Sequence, residues 1–492
     1  MLSTRAKEAI KPAVAIVITY WIALSASWMN PHWAAMTVAL VALPTVDETV
    51  KKGLERLLGT IPGCLVALVI LVIAANERWL LVFLASSWIF VATYLKQVDK
   101  ERAYFWQIAG VVSLIILASS TSSTAYFMVA MYRTLETGMG VLVYGLVTLF
   151  LWPQRSQPGD AKKAPPAPPR SSRFSGLSML MLDRDLFMRT LFAALCPLVG
   201  GAIWIYFDPP GHSGWFMIMG SLGMAIAAMP FMRASMLVIP LGVFLGAALM
   251  LSIFVLPLLE SFSQLAVLLF VLFFANYYFL KGVPRILGAV AIVMELSIRN
   301  QQVYNFPAMA NMYFFILMAF IAIYFLTYLL GSGRPEKQVL HYLRRYFNAA
   351  AHLTSKDYGQ KGWTSRLSDA YYLREVQSIP LKIMPWVKSI KPKACPDNTA
   401  EKTDPLLQSL MGLSQQLFAQ LNEGYGNDKA TEALHRKVET AFLALSKRPE
   451  SSIAVPSASL SGQLCDVWQS VQSYVQAAQG INWSQWREER FS

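Results

Sequence analysis

The chain has few charged residues for its length. Only 14% of its 492 residues are Asp, Glu, Lys or Arg, whereas 55% are hydrophobic. The mean hydropathy is +0.43, and the chain also holds 14 tryptophans. A soluble core of this size does not need so large an apolar share. The composition therefore excludes an ordinary soluble enzyme and predicts a polytopic membrane protein.

Cysteine and histidine are also scarce. The 4 cysteines are far apart, and none stands in a CxxC motif or in a cluster with any of the 5 histidines. This argues against disulfides and against a metal site. No phosphate-binding glycine loop or Walker motif is present, which disfavours an ATP-driven pump. Because no nucleophile, base and orienting group can be placed together, we predict that the protein is not an enzyme and needs no cofactor.

Long hydrophobic runs make up most of the first 330 residues. In the first half they cover 12–29, 33–44, 57–75, 79–95, 104–118 and 126–152. In the second half they cover 186–207, 215–229, 236–259, 265–280, 286–298 and 312–330. In lipid every backbone amide must be satisfied internally, so each run predicts a spanning helix. The run 33–44 is short for a span, at about 18 Å as a helix.

Lysine and arginine are concentrated in alternate loops. If the N-terminus is cytoplasmic, that side collects most of these residues, whereas the opposite side holds Arg78 and Arg299. Since Lys and Arg in short loops set the orientation of insertion, we expect both termini in the cytoplasm of a multi-pass inner-membrane protein. The formal net charge of +13 is then topological and does not indicate nucleic-acid binding.

Composition divides the chain into four regions. Residues 1–153 and 182–330 are predicted as transmembrane halves of six helices each, joined by a proline-rich basic cytoplasmic linker at 154–181. In residues 331–492, apolar residues recur at spacings of three and four, which predicts a helical cytoplasmic domain. The predicted fold class is all-α. A turn with proline and histidine precedes a tryptophan in each half (Asn30 to Trp33 and Pro209 to Trp215), which favours a parallel repeat.

Charged residues within the predicted spans are candidates for function because their insertion is costly. Arg133 and Glu136 are three residues apart and share a helix face, followed by Thr137. One interpretation is that Arg133 and Thr137 bind a carboxylate substrate while Glu136 exchanges a proton. The alternative is a structural ion pair near the periplasmic boundary.

Three further residues are candidates for proton coupling. Glu295 is either a buried proton carrier or the partner of Arg299, four residues on, in an interfacial ion pair. His32 and His212 fall in equivalent periplasmic turns, each near a tryptophan. These histidines either serve proton entry or are solvated loop residues. In the second case the neighbouring tryptophans are interfacial anchors.

The segment before the third predicted span alternates acidic and basic residues. Lys52, Glu55 and Arg56 share one helical surface, which is typical of a solvated cytoplasmic helix. Gly59 and Gly63 are four residues apart, and this spacing favours close packing of another helix backbone.

The same stretch carries a resemblance to a known family. The residues Trp33-Ala34, Thr37-Val38, Pro44-Thr45-Val46, Thr49, Lys52-Gly53, Arg56, Gly59-Thr60 and Gly63 resemble the signature of the fusaric acid resistance (aromatic acid exporter) family. Arg133 and Glu136 fit a later motif of that family. The resemblance is specific over 10–153 and vaguer over 186–330. One difference is that better-known members carry a large soluble insert between the halves, where this chain has only the linker.

The resemblance implies an inner-membrane exporter of aromatic carboxylates or similar amphipathic compounds, driven by the proton gradient. In that interpretation Arg133 anchors the anion, Glu136 carries the proton and Trp33 forms an aromatic wall, while alternating access comes from motion of the halves. The implied partners are a small-molecule substrate, membrane lipid, a periplasmic adaptor protein and a second copy of the chain. The alternatives are a passive anion channel and a non-transporting membrane scaffold.

Overall fold

A computed structural model describes most of the chain. The described residues are 3–28, 30–42, 46–74, 77–119, 123–153, 183–227, 235–300, 302, 305–330, 334–355, 363–390, 395–423, 429–451 and 463–487. Pro44 and the predicted linker 154–181 lie outside these ranges. Within them the regular structure is helical, as the sequence predicts, and contains no strand.

Twelve α-helices lie between residues 4 and 330 of the described chain. The first six are α1 (Thr4–Ser25), α2 (His32–Val41), α3 (Val46–Ile73), α4 (Arg78–Val98), α5 (Ala103–Ala118) and α6 (Ser123–Phe150). The second six are α7 (Arg184–Phe207), α8 (Gly214–Ala227), α9 (Ser235–Phe254), α10 (Phe262–Phe279), α11 (Val283–Leu296) and α12 (Phe306–Leu330). Each predicted hydrophobic run coincides with one of these helices.

Not all twelve helices have the length of a membrane span. Among the described residues, seven helices are long and apolar enough to cross a bilayer, and α2, α5 and α8 are shorter apolar helices. The protein is thus a helical multi-pass membrane protein. The 10 residues of α2 extend about 15 Å, half the thickness of a hydrocarbon core.

The described chain forms two compact units. The membrane unit comprises the described residues up to 153 together with 188–330, and the second unit comprises 183–187 together with the described residues from 334 onward. The sequence placed 183–187 with the second transmembrane half. Asp183 and Asp185 explain the difference, because both carboxylates bind basic side chains from the C-terminal region.

Helix pairing in the membrane unit repeats between its halves. In the first half α3 packs on α5 and α6, and α2 packs on α6. In the second half α9 packs on α11 and α12, and α8 packs on α12. Between the halves α2 packs on α11, just as α8 packs on α5. This correspondence supports the parallel repeat that the sequence predicts.

Two apolar cores form inside the membrane unit, and neither coincides with a half of the sequence. Core A consists mainly of buried residues from α1, α2, α6, α10 and α11, including Ile16, Val38, Tyr144, Phe273 and Val293. Core B consists mainly of buried residues from α3, α4, α5, α7, α8, α9 and α12, including Ile89, Leu114, Phe192, Phe216 and Ile323. Each core therefore takes helices from both halves.

Glycine allows the close approach of α6 to α2. A Cβ added at Gly140 would lie 2.6 Å from the carbonyl oxygen of Ala34 and 2.7 Å from Cβ of Thr37. A Cβ at Gly145, on the same helix, would meet nothing within 4 Å.

We therefore expect Gly140→Ala to destabilise the protein by about 2 kcal/mol, as overpacking does. The measurement is thermal unfolding of the purified protein in detergent, with Gly145→Ala as the control that should stay within about 0.5 kcal/mol of wild type. Equal stability of the two variants would contradict the packing described.

The second unit contains six helices in the described chain. They are α13 (Pro335–Leu353), α14 (Trp363–Lys388), α15 (Ala400–Glu423), α16 (Lys429–Lys447), α17 (Gln463–Gln479) and α18 (Trp483–Arg487). Their core contains large aromatic side chains, among them Tyr346, Phe347, Phe442, Tyr474 and Trp486. Apolar residues at helical spacing thus predicted this region correctly as helical.

A buried ion cluster joins residues 183–187 to the rest of the second unit. Arg345 contacts Asp185 at 2.6 Å and Glu375 at 2.6 Å, and Lys382 contacts Asp183 and Asp185 at 2.9 and 2.8 Å. Burial lowers the pKa of Arg345, but its hydrogen bonds to the two carboxylates outweigh that effect and raise the pKa overall. Arg345 therefore keeps its positive charge at neutral pH.

Removing one charge from this cluster should be costly. Glu375→Gln leaves part of the buried charge of Arg345 uncompensated, so we expect the second unit to lose about 3 kcal/mol of stability. Pulse proteolysis of the full chain measures the loss. The control is Glu450→Gln, because Glu450 pairs with Arg487 at 2.5 Å in a more exposed position, where the expected cost is below about 1 kcal/mol. A cost for Glu375→Gln no larger than the control's would contradict the assignment.

Candidate functional site

Arg133 and Glu136 form an ion pair inside the membrane unit. Nη1 of Arg133 lies 3.2 Å from Oε2 of Glu136, and the two residues are 8% and 1% exposed. Helical spacing of three residues on α6 brings them to one face, as the sequence predicts. The second carboxylate oxygen, Oε1, has no hydrogen-bond partner among the described residues.

The pair lies beside the middle of the long apolar helix α3. Cys64, well inside the span Asp47–Ile73, places its Sγ 3.7 Å from the carbonyl oxygen of Ala130 and 3.9 Å from Oγ1 of Thr134. Arg133 therefore sits at the depth of Cys64.

An aromatic ring covers the Arg133 guanidinium. Its Cζ lies 3.9 Å from the ring centroid of Trp33, the second residue of α2, in a cation–π contact. Thr137, the other residue predicted to bind substrate, is buried on α6 beside the pair. The structure thus brings together Trp33, Arg133, Glu136 and Thr137.

The start of α2 adds positive potential at this depth. Since Trp33 lies against Arg133, α2 begins inside the membrane, and its first residue is His32. A helix N-terminus carries a partial positive charge from the aligned peptide dipoles. Half-helices that begin within the bilayer bind anions in this way in transporters.

Arg56 is a second buried cation close to the pair. Its Nε donates to Oγ1 of Thr37 at 3.2 Å, and its Nη1 donates to the hydroxyl of Tyr104 at 2.9 Å. Both partners are neutral, and the residue is 8% exposed. Arg133 contacts Trp33 and Arg56 contacts Thr37, which lies one helical turn further along α2. The site therefore holds two guanidinium groups against one carboxylate, a surplus that an anion would neutralise.

The segment around Arg56 differs from the predicted solvated helix. Helix α3 begins at Val46, so Lys52 and Arg56 stand in its first turns. Lys52 Nζ donates to the carbonyl oxygen of Leu40 at 2.5 Å and lies 5.1 Å from the ring centroid of Tyr104. The alternating pattern of charge indicated a water-exposed surface, but packing against α2 and α5 covers Arg56.

The glycines of the same motif allow close packing. A Cβ at Gly59 would lie 2.6 Å from the carbonyl oxygen of Phe105, and one at Gly63 would lie 2.7 Å from that of Ala109. A Cβ at Gly53 would lie 2.7 Å from a methyl carbon of Val141. The first two glycines fix α3 against α5, and this contact agrees with the packing role that their spacing indicates.

The two histidines predicted in equivalent turns are in different environments. His32 is buried as the first residue of α2, and its Nδ1 has no partner among the described residues. His212 is exposed in the turn before α8, where its Nδ1 lies 2.8 Å from Oδ1 of Asp208. The environments differ because His32 directly precedes Trp33 as the first residue of α2, whereas His212 lies three residues before Trp215, outside α8.

Glu295 lies apart from the Arg133 pair. It is 4% exposed on α11, and neither carboxylate oxygen has a hydrogen-bond partner among the described residues. A pair with Arg299 on the same helix does not form, because α11 ends at Leu296 and Ser297 adopts a left-handed conformation with φ of 36°. Glu295 is thus a buried carboxyl group without a cation.

Among its described residues, the second half places aromatic rings where the first half places the Arg133 ion pair. Trp215 is the second residue of α8, as Trp33 is of α2, and its ring centroid lies 5.5 Å from that of Phe315 on α12. Phe315 thus occupies the place that Arg133 takes on α6. Within the described chain, one half of the repeat holds ions at this position and the other holds aromatic rings.

The family comparison covers the half that holds the ions. Residues 7–164 match the Fusaric acid resistance protein family. This confirms the predicted resemblance over α1 to α6, including Trp33, Arg56, Arg133 and Glu136. Glu295 and His212 lie outside the matched segment.

Curated relatives match over a similar part of the chain. An uncharacterized transporter YdhK of Salmonella typhimurium is 28% identical over 149 residues, which are 30% of this chain and 21% of that relative. The p-hydroxybenzoic acid efflux pump subunit AaeB of Musicola paradisiaca is 30% identical over 171 residues, 32% of this chain and 26% of that relative. The matches therefore span about a quarter or less of these relatives' lengths. No solved structure matches the chain.

Proposed function

We propose that the protein is an inner-membrane efflux transporter for aromatic carboxylic acids, with binding coupled to protonation of Glu136. The observation that carries this proposal is the buried ion pair of Arg133 and Glu136, with Arg56 held one turn further along α2 by the neutral side chain of Thr37. One substrate carboxylate neutralises the surplus charge, and Arg133 offers it a planar fork of donors. The relative named as a p-hydroxybenzoic acid efflux pump subunit supports the choice of substrate class.

Aromatic recognition follows from Trp33. Its ring already packs against the guanidinium of Arg133, so a substrate ring can bind beside both groups. The carboxylate of Glu136 competes with the substrate carboxylate for Arg133. Protonation of Glu136 removes that competition, so proton binding and anion binding favour each other. The two are then carried together, and export follows the outward gradient of the substrate.

The remaining assignments are part of the same proposal. The excess of Lys and Arg in alternate loops supports a cytoplasmic position for both termini. His32 and Glu295 are candidates for a proton path to Glu136, because both are buried and, among the described residues, His32 Nδ1 and both carboxylate oxygens of Glu295 have no hydrogen-bond partner. A periplasmic adaptor protein and a homo-oligomer are the proposed protein partners, because the relative AaeB is named as a pump subunit.

The test is transport of p-hydroxybenzoate by the purified protein in liposomes. Under an imposed pH gradient, we expect flux that exceeds that of protein-free liposomes and saturates with substrate concentration. Reversal of the gradient should change the rate. Absence of flux above the protein-free level, under either gradient, would overturn the proposal.

A passive anion channel is the second candidate, and the cations of the site favour it. Neither Arg56 nor Lys52 has an ion-pair partner among the described residues, which is what an anion pore needs. Planar-bilayer recording distinguishes the channel from the transporter. A channel gives unitary anion currents that are independent of the pH gradient, whereas the transporter gives none.

A further inference from the structure

In each apolar core, a hydrogen bond joins a helix from one half of the sequence to a helix from the other half. In core A, the Tyr277 hydroxyl on α10 donates to the carbonyl oxygen of Ala39 on α2 at 2.9 Å. In core B, Nζ of Lys96 on α4 donates to the carbonyl oxygen of Met224 on α8 at 3.1 Å. The two bonds are related by the repeat, because each joins the last turn of a long helix to the last turn of a short one. Both bonds hold a helix of one half inside a core shared with the other half.

Charged side chains of α3 make polar contacts between the two cores. Helix α3 belongs to core B and is fixed on α5 by the glycine contacts at Gly59 and Gly63. Its polar links to core A are made by Arg56, which donates to Thr37 on α2, and by Lys52, which donates to Leu40 O on α2. Arg56 also donates to Tyr104 on α5. A single guanidinium therefore ties α2 of core A to α5 of core B.

We propose that the bodies that move in transport are the bundles around core A and core B, and that Arg56 and Lys52 form a strap between them. The proposal rests on the transport function argued above. It replaces motion of one sequence half against the other, because such motion would have to break the Tyr277 and Lys96 bonds and divide both cores. Separation of the bundles keeps most of each core together and opens the strap, the α3 to α6 contact and the α9 to α11 contact. The Arg133 pair lies beside α3, at the boundary that would open.

Cross-linking distinguishes the two kinds of motion. In a protein whose native cysteines are replaced by alanine, one variant carries Ala39→Cys with Tyr277→Cys and the other carries Thr37→Cys with Tyr104→Cys. The first pair joins the two sequence halves within one bundle, and the second joins the two bundles within one half. Each variant is treated with a short bismaleimide, and transport of p-hydroxybenzoate is compared with that of the same variant without cross-linker.

We expect the link between residues 39 and 277 to leave most of the transport intact and the link between residues 37 and 104 to abolish it. Loss of transport with the first link, or unchanged transport with the second, would overturn the proposal. If the wild type and both variants fail to transport even without cross-linker, the proposed function is wrong. The proposal about the bundles is then tested by a measurement that does not depend on transport.

That measurement uses Cys64 as a reporter. With the other cysteines replaced, Cys64 lies beside Ala130 and Thr134 at the bundle boundary. Arg56→Gln removes the charge-assisted bonds of the strap, so the labelling rate of Cys64 by a small water-soluble thiol reagent should rise about tenfold. Arg56→Lys keeps the charge, so its labelling rate should lie between those of the wild type and Arg56→Gln. Glu55→Gln, one residue away, is the matched control and should label like wild type. An unchanged rate in Arg56→Gln would contradict the strap.

Discussion

Replacing Arg133 by alanine is expected to weaken binding of p-hydroxybenzoate about 100-fold and to remove transport at low substrate concentration. The substrate carboxylate loses a charge-assisted, two-pronged hydrogen bond in a buried site, which is worth roughly 2 to 5 kcal/mol. The variant also leaves Glu136 without its partner at 3.2 Å, which adds a second negative charge to repel the anion. Binding of radiolabelled ligand to the purified protein is the measurement.

Two controls accompany this substitution. Arg78→Ala removes an arginine that lies 5.5 Å from the ring centroid of Trp204, at the exposed start of α4. It therefore tests loss of an arginine–tryptophan contact outside the site, and we expect no change in affinity. Arg133→Lys keeps the charge but loses the fork, so an intermediate affinity is expected. Wild-type affinity in Arg133→Ala would show that the anion binds elsewhere.

Substitution of Glu136 by glutamine should make substrate binding independent of pH. In the wild type, the ionised Glu136 competes for Arg133, and its protonation at lower pH relieves the competition. Wild-type affinity should therefore rise as pH falls, by up to about tenfold per pH unit for one coupled proton, while the ligand stays ionised. Glutamine is neutral throughout, so its affinity should be flat and equal to the wild-type value at low pH. Equilibrium binding across a pH series tests both statements.

Glu295→Gln is the matched control for that experiment. It also removes a buried membrane carboxyl group, but one that has no cation partner among the described residues. We expect the affinity of this variant to keep the wild-type pH dependence. If Glu295→Gln flattens the profile and Glu136→Gln does not, the coupling role belongs to Glu295.

Much of the fold could be predicted because its signals are local. Apolar runs marked all twelve membrane-unit helices, and the spacing of Arg133 and Glu136 placed them on one face of α6. Spacing also identified Gly59 and Gly63 as packing positions. These features depend on a few neighbouring residues, so the sequence carries them directly.

The site as a whole depends on contacts between distant helices. The alternation of charges around Arg56 was typical of a solvated surface, and only the packing of α2 and α5 against α3 buries that guanidinium. His32 was predicted in a periplasmic turn, with proton entry and simple solvation left open, because nothing local shows that packing of α2 buries it. The clearest available signal was the shortness of the run 33–44, which is too short to cross a bilayer.

The mixed composition of core A sets an order on biosynthesis. A ribosome delivers α1, α2 and α6 to the bilayer long before α10 and α11 exist, so the apolar contacts of these helices with α10 and α11 cannot form until translation has passed residue 296. Until then the early helices must wait in lipid or beside an insertion factor. A truncated product that stops after the first six helices would therefore lack these packing partners and be exposed to membrane proteases. Supplying the missing helices on a second polypeptide would end that exposure.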